Sequence, residues 1–252
     1  MRKLFLGILF YIPSAAFCQA DLQKGLKLYY DFSGKARDLS GNNNNPKHDN
    51  TKSCTDRNGN PDAAAHFDGK KSYIRIPDSE SLHMDNQISL CVWIRPTGFY
   101  KGKCHGNSII MKGKQFGKTY ILLRYDDNFY GNGNNCNSKT DPEHQNFYGS
   151  GMGLPGYTPY VKAMEWQSVV YTYDGKTARL YIGCDLVKSQ ETEDLYFTNL
   201  KDLFIGTIDE NGYPYWMDAD LDDLRIYDRA LDKSEIEAIS GCGEEKKLPS
   251  EN

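Results

Sequence analysis

The chain has 252 residues, 39% hydrophobic and 25% charged, which is enough length and apolar content to bury one large core or two small ones. With 30 basic residues against 34 acidic the net charge is −4, so a nucleic-acid partner has no electrostatic footprint. No apolar run approaches the roughly 20 residues of a membrane-spanning helix, and no membrane span is expected.

In chain order, Arg2 and Lys3 precede an apolar stretch over 4–12, then Pro13 and small residues running to Ala20. Positive, apolar, then small is the grammar of a secretory signal peptide. The expected organisation is a signal peptide over 1–20, one domain over 21–242 and a polar tail over 243–252. The protein is then secreted, periplasmic or at the cell surface. A lipid anchor at Cys18 is the competing reading, but Ala15 and Phe17 stand where a lipoprotein signal wants a leucine-like and a small residue. Export places the chain in an oxidising compartment. Cys54, Cys91, Cys104, Cys136, Cys184 and Cys242 therefore read as disulfides before metal ligands. Spacing does not choose their connectivity. Cys104–Cys136 is the pair expected first, because both stand in Gly/Asn-rich sequence flanking a strand pair.

Beyond residue 25, short apolar or alternating runs are separated by turn residues. Strands are predicted over 25–32, 73–76, 88–94, 108–111, 120–125, 166–173, 178–182, 203–206 and 221–227. Asp174-Gly175 between two alternating runs predicts a tight hairpin with positive φ at both residues. One short helix is predicted late in the chain: Asp232 caps it, Glu235 reaches back, and Leu231 and Ile236 staple its first turn. Many short strands with regular turn signals suggest an all-β fold, a two-sheet antiparallel β-sandwich.

Gly25-Leu26 with Tyr29-Tyr30-Asp31-Phe32, followed by Ala36-Arg37-Asp38-Leu39-Ser40-Gly41-Asn42, resembles the opening of the laminin-G-like jelly-roll domains of the concanavalin A-like lectin/glucanase superfamily. Ala65-His66-Phe67-Asp68-Gly69, Ile74-Arg75-Ile76-Pro77-Asp78 and the run from Ser89 through Trp93 to Pro96 are similar to its next landmarks. Glu165-Trp166-Gln167, Ala178-Arg179-Leu180-Tyr181-Ile182 and residues 219–236 are similar to its closing half. The resemblance covers about residues 25–240. It implies a concanavalin A-like jelly roll. Two departures stand out: Gly183-Cys184 where the family usually has Asn-Gly, and a long stretch over 126–160 rich in Asn, Gly and aromatics, read as a loop.

Glucanases of that superfamily carry Glu-x-Asp-x-x-Glu on one strand, and no such run is present. Gly151-Met152-Gly153-Leu154-Pro155-Gly156 fits a nucleotide-loop pattern, but without the strand–helix context that gives the pattern meaning. The chain is expected not to be an enzyme. A metal is a stronger candidate. Simple alternation along 221–227 puts Asp222 on the face of Leu224 and Ile226, where a carboxylate must be paired or metal-bound. Asp38 and the loop around Asn42 offer further oxygens, and oxygen ligation favours Ca²⁺. The resemblance implies a structural calcium at Asp38 and Asp222. The alternative is that Asp222 accepts hydrogen bonds and Asp38 makes an Asx-turn.

For a ligand, Tyr130, Asn132, Tyr148, Tyr157 and Tyr160 in the long stretch, with Tyr215 and Trp216 before the last strand, offer aromatic faces and amides suited to sugars. Tyr- and Asn-rich loops serve protein recognition equally well, and aromatics also serve plain packing. Trp93 and Trp166 lie on framework motifs and read as core. The leading expectation is a secreted, non-catalytic lectin-like module whose partner is a glycan. The alternative is an adhesion module that binds a cell-surface protein, and a glycan hydrolase or lyase comes third.

Overall fold

The computed structural model describes residues 20–100, 106–114, 119–126, 146–149, 161–193, 195–208 and 214–242. The elements are β1 (Leu26–Tyr30), β2 (His48–Asp49), β3 (Lys52–Cys54), β4 (Ala64–Asp68), β5 (Ile74–Ile76), a 3-10 turn (Glu80–Leu82), β6 (Ile88–Pro96), β7 (Asn107–Gly113) and β8 (Tyr120–Asp126). They continue as β9 (Asn146–Gly149), β10 (Gln167–Tyr173), β11 (Thr177–Ile182), β12 (Asp185–Glu191), β13 (Leu203–Ile205), β14 (Asp218–Tyr227) and α1 (Lys233–Ser240). An eight-stranded antiparallel sheet in the order β12-β11-β10-β6-β14-β4-β3, with β1 also on β14, packs against a six-stranded one in the order β2-β5-β13-β7-β8-β9. This is the expected jelly-roll sandwich. No helix among the described residues is long and apolar enough to cross a membrane.

Alternation explains the core. Leu90, Val92 and Ile94 of β6 point inward with Val169 and Tyr171 of β10, and meet Ile74, Ile110, Leu123 and Ile205 of the other sheet. Each such side chain contributes roughly 1.5–3 kcal/mol of burial. The intervening residues Cys91, Trp93 and Arg95 therefore face outward from the sandwich.

β14 breaks its own alternation. Its pairing with β6 shifts register between Asp222 and Arg225, and Asp223 sits at φ 52°. The left-handed region is one that Asp tolerates better than most residues. The extra residue lets both Leu221 and Leu224 enter the core, while Asp222 and Asp223 both turn outward to Arg57. On the opposite edge of β14, β4 pairs with 218–221 and β1 with 224–227, so the bulge falls where the neighbour changes. The expectation that Asp222 shares the apolar face is thus corrected: a bulge resets the period of two.

Helix α1 forms as its sequence predicts, with the Asp232–Glu235 capping box complete and Gly241 closing it at φ 69°. It covers part of the outer face of the eight-stranded sheet, where Leu231, Ile236 and Ile239 pack on Cys91, Val170 and Tyr227. A disulfide between Cys184 and Cys242 ties its end to the Gly183-Cys184 turn. Cys54 and Cys91 are free thiols, so not all six cysteines pair; Cys104–Cys136 lies outside the described residues, as do residues 1–19 and Cys18. Asp174 does not adopt positive φ. Gly175 does, and the Asp174 carboxylate shapes the turn by accepting from the Lys176 and Thr177 amides. The stretch 126–160 contains a strand, β9, paired with β8. The edge strand β12 carries no apolar alternation, and periodicity missed it.

Candidate functional site

The half of the outer face that α1 leaves open carries aligned charges and two tryptophans. Across β6, β14 and β4, Arg95, Asp220 and His66 stand in one row, and Trp93 lies opposite Asp222 in the next. Asp220 is buried. It accepts from Arg95 Nε at 2.9 Å and Nη2 at 2.6 Å, and lies 2.7 Å from His66 Nδ1. Arg95 in turn lies over the Trp166 ring at 5.2 Å.

The second row is built by the β3–β4 loop. Asp56 accepts from the amides of Asn58 and Asn60, both at 2.8 Å, and folds the loop so that Arg57 projects over Trp93, 5.0 Å from the ring centroid. Arg57 donates to Asp222, and to Asp223 at 3.1 Å. Asp223 also accepts from Arg225 Nε at 2.9 Å, and Arg225 lies over Tyr29 at 4.3 Å. Burial pushes the Asp222 carboxyl up to about 6, with Arg57 pulling it down and Asp223 adding to the rise. Burial, with Asp220 beside it, pushes the Cys54 thiol up to about 12. That thiol is a poor nucleophile at neutral pH.

Beside these rows opens a cleft of about 500 Å³. Trp93, Trp166 and Ser168 line it, with Lys162, Glu165 and Gln167 at one wall and Ile182, Asp185 and Leu186 at the other. The first wall is a turn closed by Met164 at φ 65°, whose amide donates to Pro96 at 2.8 Å. The second is the β11–β12 turn held by the disulfide. Leu186 is 52% exposed there, an unburied apolar side chain lining the cleft beside Ile182 and Val187.

Trp93 and Trp166 are therefore half-buried outward residues rather than core. The signal was present in β6, where Trp93 shares the parity of Arg95 and not of Val92 and Ile94. Of the expected ligand residues, Tyr130, Asn132, Tyr157 and Tyr160 lie outside the described residues, as does the side chain of Tyr148 on β9. Tyr215 is buried against Phe204 and Ile208, and Trp216 stands beside Tyr73 with ring centroids 6.0 Å apart. Both belong to the outer side of the six-stranded sheet, across the sandwich from the cleft.

The residues expected to hold calcium do not fit that ion. Asp38 Oδ1 accepts from the Tyr29 amide at 3.1 Å and the Ser40 amide at 2.9 Å, while Oδ2 accepts from Ser40 Oγ at 2.9 Å and the Asn44 amide at 2.8 Å. Asn42 presents its amide nitrogen to the Leu26 and Lys27 carbonyls. Asp222 is held by Arg57, and the loop of Asp38 runs along the edge of β1 that faces away from β14. Oxygen atoms already facing donors, on opposite sides of a strand, do not make an oxygen cage. Among the described residues no group of three or more His, Cys, Asp or Glu could hold a metal ion.

Residues 68–237 match the family model Laminin_G_3, described as the concanavalin A-like lectin/glucanases superfamily. No curated protein matches the chain. Among solved structures it is similar to the binding domain of Paraclostridial Mosquitocidal Protein 1, at 18% identity and a TM-score of 0.60, over 88% of this chain and 53% of that one. It is similar to domain 4 of an extracellular arabinanase from Geobacillus stearothermophilus in complex with arabinotriose, at 19% identity and 0.56, over 85% and 98%. A Trypanosoma rangeli sialidase matches at 14% and 0.61, over 86% and 32%. The chain spans about half of the toxin domain and a third of the sialidase. At these identities the likeness is one of fold.

Proposed function

Because the chain belongs to the concanavalin A-like lectin/glucanases superfamily, we propose that it is an extracellular, non-catalytic module that binds a glycan in the cleft beside Trp93 and Trp166. The observation that carries the reading is the convergence of two half-buried indoles on one cleft of mixed polar and apolar lining. Flat aromatic faces suit the C–H patches of a sugar ring, and Gln167, Asp185, Lys162 and Glu165 offer hydrogen bonds to its hydroxyls. The similar arabinanase domain in complex with arabinotriose supports the same reading. The non-catalytic part is supported by the carboxylates next to the cleft. A glycosidase pair needs two carboxyl groups facing the scissile bond; Asp220, Asp222 and Asp223 are each held by an arginine, and of the cleft's own carboxylates, Glu165 and Asp185, Glu165 pairs with Lys162 at 3.7 Å. The Cys184–Cys242 disulfide supports an oxidising, extracellular setting.

The test is a glycan array and polysaccharide-gel screen, run with calcium and again with a chelator. Binding is expected in both conditions and is expected to fall about tenfold or more in Trp166→Ala, the loss of one stacking platform. Binding lost only on chelation would restore a metal to the site. A screen empty in both conditions would favour the adhesion reading, with a cell-surface protein as partner.

A further inference from the structure

The charges of the two rows beside the cleft are paired. Arg57 faces Asp222 and Asp223, Arg225 faces Asp223, and Arg95 faces Asp220 through two nitrogens. The carboxylates lie beneath, with side chains 3%, 6% and 10% exposed for Asp220, Asp222 and Asp223. The guanidiniums lie above them, 30% exposed for Arg95 and 23% for Arg57. At the rim Lys162 pairs with Glu165 at 3.7 Å, and Asp185 adds a negative charge. Among the described residues, Arg57, Arg95 and Lys162 beside the two indoles each face a carboxylate.

We infer that the cleft together with the charged rows beside it selects neutral glycans over sulfated or uronate-rich ones, and that Asp220 and Asp222 enforce the choice; the inference rests on the glycan-binding reading above. A sulfate brought to Arg95 meets donors already committed to Asp220 at 2.6 and 2.9 Å and a buried negative charge directly behind them. Competing for that guanidinium would leave the buried Asp220 with only the His66 ring nitrogen beside it, which is unfavourable. A neutral sugar makes no such demand. Its hydroxyls accept from the N–H groups that the aspartates leave over, and its ring faces indoles whose orientation the stacked guanidiniums hold. The paired aspartates turn an arginine-lined surface, which would otherwise suit polyanions, into one that repels them.

The test uses the full chain with two probes, arabinan as a neutral polysaccharide and heparin as a polyanion, in affinity gels and on a heparin column. The wild type is expected to be retarded by arabinan or another neutral gel, and to leave heparin below about 0.15 M salt, where exposed charges are already largely screened. Asp220→Asn and Asp222→Asn, each checked for a native circular dichroism spectrum, are expected to bind heparin about tenfold more tightly by freeing a guanidinium. Asp222→Asn is the milder variant, since Arg57 keeps Asp223. Strong heparin binding by the wild type that Arg95→Gln abolishes would overturn the inference while leaving the glycan reading intact. Folded Asp→Asn variants with no gain on heparin would also overturn it. A wild type that binds neither probe nor any other glycan, beside variants that gain heparin, would refute the glycan reading and leave the charge argument standing.

Discussion

Replacing Cys184 and Cys242 together with serine removes the covalent tie between the β11–β12 turn and the end of α1. The bond closes a loop of 58 residues in the unfolded chain. Loop-closure entropy for that length is about 14 cal/mol/K, or about 4 kcal/mol at 25 °C. The helix keeps its packing, since Leu231, Ile236 and Ile239 remain on Cys91, Val170 and Tyr227, so the folded state stays intact and the loss falls on the unfolded side. Urea unfolding followed by tryptophan fluorescence reads this directly. With a denaturant slope of about 2.5 kcal/mol/M, the midpoint is expected to drop by about 1.5 M. Hydrogen exchange in α1 should accelerate at the same time, because the tie also limits local opening of the helix. A midpoint shift corresponding to less than about 1 kcal/mol, with α1 exchange unchanged, would refute the reasoning and show that packing alone holds the helix.

Three further outcomes follow from named contacts. Gly206→Ala puts a Cβ 2.5 Å from Phe67 Cδ1 and 2.7 Å from Cε1, at φ +89°, and is expected to lower stability by about 2–4 kcal/mol; an unchanged melting temperature would sink this. Lys112 is fully buried and donates to Asp78 at 2.6 Å and to the Asn199 and Lys201 carbonyls at 2.8 and 2.6 Å. Lys112→Met leaves three acceptors without their donor and should cost about 3 kcal/mol, whereas a loss below about 1 kcal/mol by urea titration would contradict it. The Asp222 carboxyl, at about 6 when folded, lies above its unfolded value of about 3.9, so its protonated form favours folding. That contribution, about 3 kcal/mol, is complete below pH ~4 and is lost as pH rises through ~6. The stability gap between wild type and Asp222→Asn should change by about 2 kcal/mol between pH 4 and 7, and parallel profiles would rule it out.

The strands with clean alternation, such as β6 and β10, and the capped helix α1 were legible in the sequence because each depends on neighbours within a few residues. So was the family, through the order of landmarks from Tyr29 to Ile236. The polar edge strand β12 was not legible, because an edge strand with no buried face needs no apolar alternation. The parity of Asp222 was lost to a single residue, Asp223, whose left-handed backbone is set by the change of neighbouring strand and leaves no mark on the pattern.

What the sequence by itself determined is the sandwich, its inward faces and the residue types available for binding, since burial and turn chemistry act locally along the chain. Only the tertiary structure decided that Trp93 and Trp166 share a cleft, that Cys184 finds Cys242, and that Arg57 meets Asp222 and Asp223 from 165 and 166 residues away. Those partners are chosen by strand order and register, and the free energy of a salt bridge or a stacked ring depends on where the sheet places it in space, not on its spacing in the chain.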